Sequence, residues 1–140
     1  MLRFPRDTEA IITDTVGFIR NLPEELFAAF RATLDELREA DILLHIIDVS
    51  NSQFENHIKA VDKILEDLEI NDKPQIMVFN KTDRFSDKAL LQTLCRRFDA
   101  VAISAPDKAT LSGLLHKIET LLFRKTALHI LHNKGIYAKQ

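Results

Sequence analysis

Apolar positions along this chain switch between unbroken runs and a helical period, and the switching recurs. Ile42-Leu43-Leu44-His45-Ile46-Ile47 is an almost continuous apolar run. Such a run predicts a strand with no wet face, set inside a sheet. Gln75 to Phe79 predicts a second buried strand and Ala100 to Ile103 a third. Between the first two, Phe54, Ile58, Val61, Leu65 and Leu68 recur at helical spacing, so a helix is expected from about Ser52 to Leu68. A shorter helix is expected from about Asp87 to Arg97, and Leu111, Leu114, Leu115, Ile118, Leu121 and Leu122 outline a longer one. Upstream, Leu2-Arg3-Phe4 and Ala10-Ile11-Ile12-Thr13 flank the turn residues Pro5-Arg6-Asp7 and read as an antiparallel hairpin. Leu22-Pro23 opens a helix, with Glu24 and Glu25 at the positive end of its dipole and Leu26, Phe30, Thr33, Leu34 and Leu37 as its inward stripe. Strand and helix alternating in this way predict a three-layer α/β fold, a mostly parallel sheet with helices on both faces.

Composition narrows the class without choosing a function. A chain of 140 residues with 46% hydrophobic and 29% charged residues is an ordinary globular domain with room for a core. Its net charge of −2 offers no broad basic field, which argues against direct DNA binding. The single cysteine, Cys95, excludes an internal disulfide and lies in an apolar helical pattern, where it reads as core. No apolar run approaches the roughly 20 residues of a membrane span, so a cytoplasmic protein is expected.

Three short stretches carry candidate chemistry, each placed just after a strand. Asn80-Lys81-Thr82-Asp83 follows the apolar run Ile76 to Phe79 without a break. An N-K-x-D at such a strand end suits guanine: the aspartate accepts from the ring N1–H and the exocyclic amine, a pair of donors that adenine does not present. The asparagine and lysine brace the loop, and the lysine stem covers the base plane. Asp14-Thr15-Val16-Gly17 also follows a strand, 80 − 14 = 66 positions earlier. In a nucleotide switch the aspartate of D-x-x-G holds Mg²⁺ through water, and the glycine amide meets the γ-phosphate. Taken alone, the same four residues describe an Asx-turn. Ser104-Ala105 follows the third strand, where a backbone amide suits the guanine O6. Asp48 raises a competing idea, because Asp14, Asp48 and Lys81 at strand ends also suit phosphoacceptor chemistry. That chemistry needs a second acidic residue beside Asp14, whose neighbours are Thr13 and Thr15.

The stretches D-T-V-G-F-I-R-N-L-P and A-F-R-A-T-L-D-E-L-R-E-A-D-I-L-L-H-I-I-D-V-S, from Asp14 to Ser50, closely resemble the HflX family of GTPases. The N-K-T-D and S-A stretches fall where that family reads its base, and the resemblance extends over roughly Leu2 to Phe123. It implies a GTPase domain over residues 1–123 and a tail over 124–140, helical and then frayed. It also implies GTP and GDP as ligands and Mg²⁺ as cofactor, held by Asp14 through water. Asp14, Thr15, Val16, Gly17, Asn80, Lys81, Thr82, Asp83, Ser104 and Ala105 would form the GTP site, with the large ribosomal subunit as partner. No catalytic residue is assigned. Phe18 stands where many GTPases keep a water-orienting glutamine, and an apolar ring cannot orient water. No G-x-x-x-x-G-K-[ST] phosphate loop occurs in these residues. The expectation is therefore a truncated P-loop GTPase-type domain that lacks the first strand and the phosphate loop. Such a chain is not competent for hydrolysis by itself. The alternative is a non-catalytic interaction module that binds a ribosomal or protein partner.

Overall fold

In the computed structural model, residues 2–3, 9–12 and 37–133 are described, with side chains for 10–12 and 37–124. The chain divides into two compact units, Met1–Asp41 and Ile42–Gln140. In the first, β1 (Leu2–Arg3) pairs antiparallel with β2 (Glu9–Ala10) in the register Leu2↔Ala10 and Arg3↔Glu9. The hairpin is therefore present, but its second strand starts one residue earlier than the apolar run suggested. Ile11 and Ile12 lie beyond the pairing, because the ladder is set by the partner strand and not by where the run is most apolar. Of the helix expected after Pro23, only residues 37–39 are described, and they are helical.

The second unit is built on a parallel sheet of β3 (Leu43–Asp48), β4 (Gln75–Asn80) and β5 (Val101–Ala102), ordered β3-β4-β5. Parallel neighbours need a crossover between them, and helices supply it: α1 (Phe54–Asp67) from β3 to β4, α2 (Lys88–Phe98) from β4 to β5. A longer helix, α3 (Leu111–Asn133), follows β5 and crosses residue 123 unbroken. Among the described residues β3 pairs only with β4, and Ile46 is 57% exposed. A strand this apolar was expected to lie inside the sheet; its second edge carries no described partner.

Side chains on successive strand positions face opposite ways, and the core divides accordingly. Ile47 and Phe79 face α1 and α2, where Phe54, Ile58, Leu91 and Leu94 close over them. Cys95 packs against this cluster as an apolar group, and burial pushes its thiol pKa up. Ile76 and Val78, both 0% exposed, face the other way, and α3 packs on β4 with Leu114 and Ile118 buried. Leu115, expected in the same stripe, is 37% exposed, since at 3.6 residues per turn it is carried around from Leu114. Each helix has local reasons to stop and start. Asp87 caps α2 by accepting from the Leu90 amide at 2.9 Å. Asp99 ends it in the left-handed conformation, φ 48°, while the Ala100 amide returns to the Cys95 carbonyl at 2.8 Å.

Phe79 is the centre of this core. It is fully buried and meets Phe54 edge-on at 5.7 Å and Phe98 at 5.8 Å between ring centroids. Phe79→Ala is expected to cost about 3–5 kcal/mol of unfolding free energy, read by urea denaturation followed by circular dichroism. A loss below about 1 kcal/mol would show that the ring is not enclosed as described.

His45 is the polar intruder on the same sheet face. Its Nδ1 is buried and has no hydrogen-bond partner among the described residues. Burial lowers its pKa from the ordinary 6.5, with the Asp62 carboxylate opposing. The unfolded chain therefore takes up this proton at higher pH than the folded one, so stability declines as pH falls below that ordinary value. His45→Leu is expected to raise stability at neutral pH by about 1 kcal/mol and to flatten that acid decline. Thermal melts of both variants across the range check it; an unchanged slope would remove His45 as its source.

Candidate functional site

Parallel register brings the carboxyl ends of the three strands level, with Asp48 opposite Asn80 and Ala102 opposite Phe79. Ligands of open α/β sheets bind in this position, outside the carboxyl ends of the strands. The loop after β4 is a tight one. Lys81 sits in the left-handed region at φ 60° and ψ 34°, and residues Thr82–Arg84 form one 3₁₀ turn. A non-glycine residue there costs about 1–2 kcal/mol, so something must hold it. Asn80 does so: its Oδ1 accepts the Lys81 amide at 2.8 Å and the Ala105 amide at 3.1 Å. One side-chain oxygen thus joins the loop after β4 to the loop after β5.

Thr82 supplies the second tie. It is buried, and both its amide (3.3 Å) and its hydroxyl (2.9 Å) donate to the Ile103 carbonyl. Its own carbonyl accepts from the Lys88 ammonium at 3.0 Å. Thr82 is thus turned inward, as a brace for its neighbours. Ser104 is buried too: its amide donates to Thr110 Oγ1 at 2.9 Å, and its hydroxyl donates to Asp83 Oδ1 at 2.7 Å. Asp83 itself is exposed, with one carboxylate oxygen, Oδ1, steadied by Ser104. The Ser104 hydroxyl, helped by the nearby Arg84 and Lys88 cations, holds the Asp83 carboxyl below its ordinary pKa of 3.8. The side chain is therefore an ionised double acceptor at neutral pH.

Four of the residues singled out in the sequence, Asp14, Thr15, Val16 and Gly17, lie outside the described residues. The other six, Asn80 to Asp83 with Ser104 and Ala105, form one hydrogen-bonded cluster. Sequence reasoning missed its supports: Lys88, Thr110 and, above all, Asp48. The Asp48 carboxylate pairs with the Lys81 ammonium at 2.7 Å and accepts from the Ser50 amide at 3.1 Å. The signal available was the strand register, which sets Asp48 beside Asn80 and hence within reach of Lys81. Among the described residues no set of three or more His, Cys, Asp and Glu side chains is arranged to hold a metal. No helix among them is long and apolar enough to cross a membrane.

Comparison of the sequence with known proteins points to one family. A family model described as 50S ribosome-binding GTPase matches residues 2–81. GTPase HflX of Caldanaerobacter subterraneus subsp. tengcongensis is 44% identical over 126 residues, which is 89% of this chain and 28% of that protein. GTPase HflX of Flavobacterium psychrophilum is 59% identical over 75 residues, 54% of this chain and 18% of that protein. GTPase HflX of Escherichia coli is 46% identical over 79 residues, 56% of this chain and 18% of that protein. The chain thus spans well under a third of the length of the relatives it matches. The phosphoacceptor idea for Asp48 falls with this match to a GTPase family.

The Ser104 bond to Asp83 is open to direct test. Ser104→Ala removes the donor that favours the charged carboxylate, so the Asp83 titration midpoint is expected to move up. A ¹³C NMR titration of the Asp83 carboxyl reads the shift, and an unmoved midpoint would mean that the hydroxyl donates elsewhere.

Proposed function

This chain belongs to the 50S ribosome-binding GTPase family, on its HflX branch, and we propose that it supplies the guanine-reading part of a GTP-hydrolysing site. Asp83 is the reading group: its carboxylate accepts from the guanine N1–H and the exocyclic amine. Adenine places an acceptor at the first position and no donor at the second, so a desolvated Asp83 would face a lone pair. Sites that leave a buried polar group unmatched reject the wrong ligand strongly. The Ala105 amide turns from Asn80 Oδ1 to the guanine O6 when the base arrives. Lys81 lays its stem along the base, and Thr82 and Ser104 hold the two loops in register.

The triphosphate end is assigned to Asp14, Thr15, Val16 and Gly17. Asp14 would hold Mg²⁺ through water, and Gly17 would offer its amide to the γ-phosphate. Bound there, Mg²⁺ supplies charge neutralisation to the phosphates. The reaction is attack of water in line with the leaving GDP, giving GDP and phosphate. Residues 1–123 belong to the GTPase domain and 124–140 to a tail. The large ribosomal subunit in the cytoplasm is the proposed partner, after the family's description.

The observation that carries this proposal is Asp83, ionised, exposed and fixed by Ser104 at 2.7 Å beside the Ala105 amide. These 140 residues contain no G-x-x-x-x-G-K-[ST] run, the loop that contributes most phosphate contacts in such domains, so the chain alone holds GTP weakly. One set of calorimetric and NMR titrations tests both points. GTP with Mg²⁺ is expected to bind more weakly than micromolar. The monophosphate GMP is expected to shift the signals of Asn80 to Arg84 and Ser104-Ala105 while AMP does not. Asp83→Asn is expected to invert the preference from GMP to XMP, because the amide donates where the carboxylate accepted. Unchanged preference in that variant removes the base assignment; micromolar GTP binding refutes the claim of weakness.

A further inference from the structure

We propose that Asp48 is a positioning residue for guanine recognition: it anchors the Lys81 ammonium at the end of β3 and thereby fixes the lysine stem beside the base-reading carboxylate of Asp83. This rests on the guanine assignment above. The anchor is built in two steps. Asp48 Oδ1 is held by its own turn, accepting both the Ser50 amide at 3.1 Å and the Ser50 hydroxyl. That leaves Oδ2 for Lys81 Nζ, at 2.7 Å across 33 residues of sequence. The other end of Lys81 is held by Asn80, whose Oδ1 fixes its amide in the left-handed backbone conformation. A lysine tied at both ends has lost most of its rotamer choice before any ligand arrives.

Anchoring matters because a free lysine is the most mobile of side chains. Ordering such a side chain at the moment of binding weakens binding, and ordering it beforehand removes that cost. With its ammonium tied to Asp48, Lys81 presents its methylene groups as an apolar wall for a flat ring. The same pairing keeps the ammonium off Asp83, the group that must stay open to the base. The ion pair is half exposed, so its worth lies in direction and not in fold stability.

Asp48→Asn separates this role from a merely electrostatic or structural one. Removing a negative charge near an anionic nucleotide would, by Coulomb's law alone, tighten binding. Loss of positioning instead predicts GMP binding about three- to tenfold weaker, with the melting temperature of the full chain nearly unchanged. Lys81→Met alone is expected to weaken GMP similarly, and Asp48→Asn to add nothing further in that background. The Lys81 side-chain NMR signals should sharpen in Asp48→Asn as the stem is released.

Wild-type GMP affinity in Asp48→Asn, or an equal loss in the Lys81→Met background, overturns the proposal and leaves the guanine assignment standing. Failure of the wild-type chain to prefer GMP over AMP sinks the assignment, and this proposal with it. Should Asp48→Asn fail to fold, Ser50→Ala is the second variant. It loosens Asp48 without removing its charge and is expected to weaken GMP binding by a smaller factor, with unaltered affinity counting against the anchor.

Discussion

The parallel pairing of β4 between β3 and β5 is the constraint from which the rest of this unit follows. It buries Ile76, Val78 and Phe79 completely and makes β4 the strand that both helical layers rest on. It also decides what stands beside what at the carboxyl ends. Because Asp48 is opposite Asn80, the lysine after Asn80 finds a carboxylate on the neighbouring strand. Because the Ile103 amide bonds the Phe79 carbonyl at 2.8 Å, the Ile103 carbonyl is in place to receive Thr82. A slip of one residue in either register would separate these partners and turn Phe79 out of its aromatic cluster. Core packing and site geometry are therefore specified by the same hydrogen bonds.

Polar groups in the site sort by depth, and the sorting has a physical reason. Thr82 and Ser104, the two buried polar residues among those described, have their hydroxyls committed to protein partners. Buried groups left unmatched would each cost about 1–3 kcal/mol. Asp83, in solvent, keeps acceptor capacity in hand at little cost because water serves it until a ligand does. Bracing below and capacity above is what preorganisation of a binding edge requires. The left-handed Lys81 fits the same logic: strain in the backbone is tolerated where surrounding contacts over-determine it, and such residues concentrate at binding sites.

Much of this was legible in the residues, for reasons that differ by element. The buried strands and the helices α1 and α2 announce themselves through period, and their ends agree with expectation to within one or two residues. The N-K-T-D stretch is local in sequence and falls after a strand, so its loop is placed by the residues alone. The pairing partner of Lys81 is not, since 33 residues separate it from Asp48 and only the register joins them. His45 was visible as a lone polar residue in an apolar run, but its orphaned Nδ1 depends on α1 lying over it. The exposure of Ile46 was hidden for the opposite reason. An apolar run reports that a strand suits burial on both sides, not which neighbours are present to bury it.

Among the described residues, the supports of the loops after β4 and β5 come from Asp48, Ser50, Asn80 to Lys88 and Ile103 to Thr110, all inside the unit Ile42–Gln140. Every described hydrogen bond that orders these two loops is therefore made within one unit. On the guanine assignment proposed above, the register of β3, β4 and β5 is then what sets the selectivity of the Asp83 edge, because that register places Asn80, Ile103 and Ser104 where they hold the two loops together.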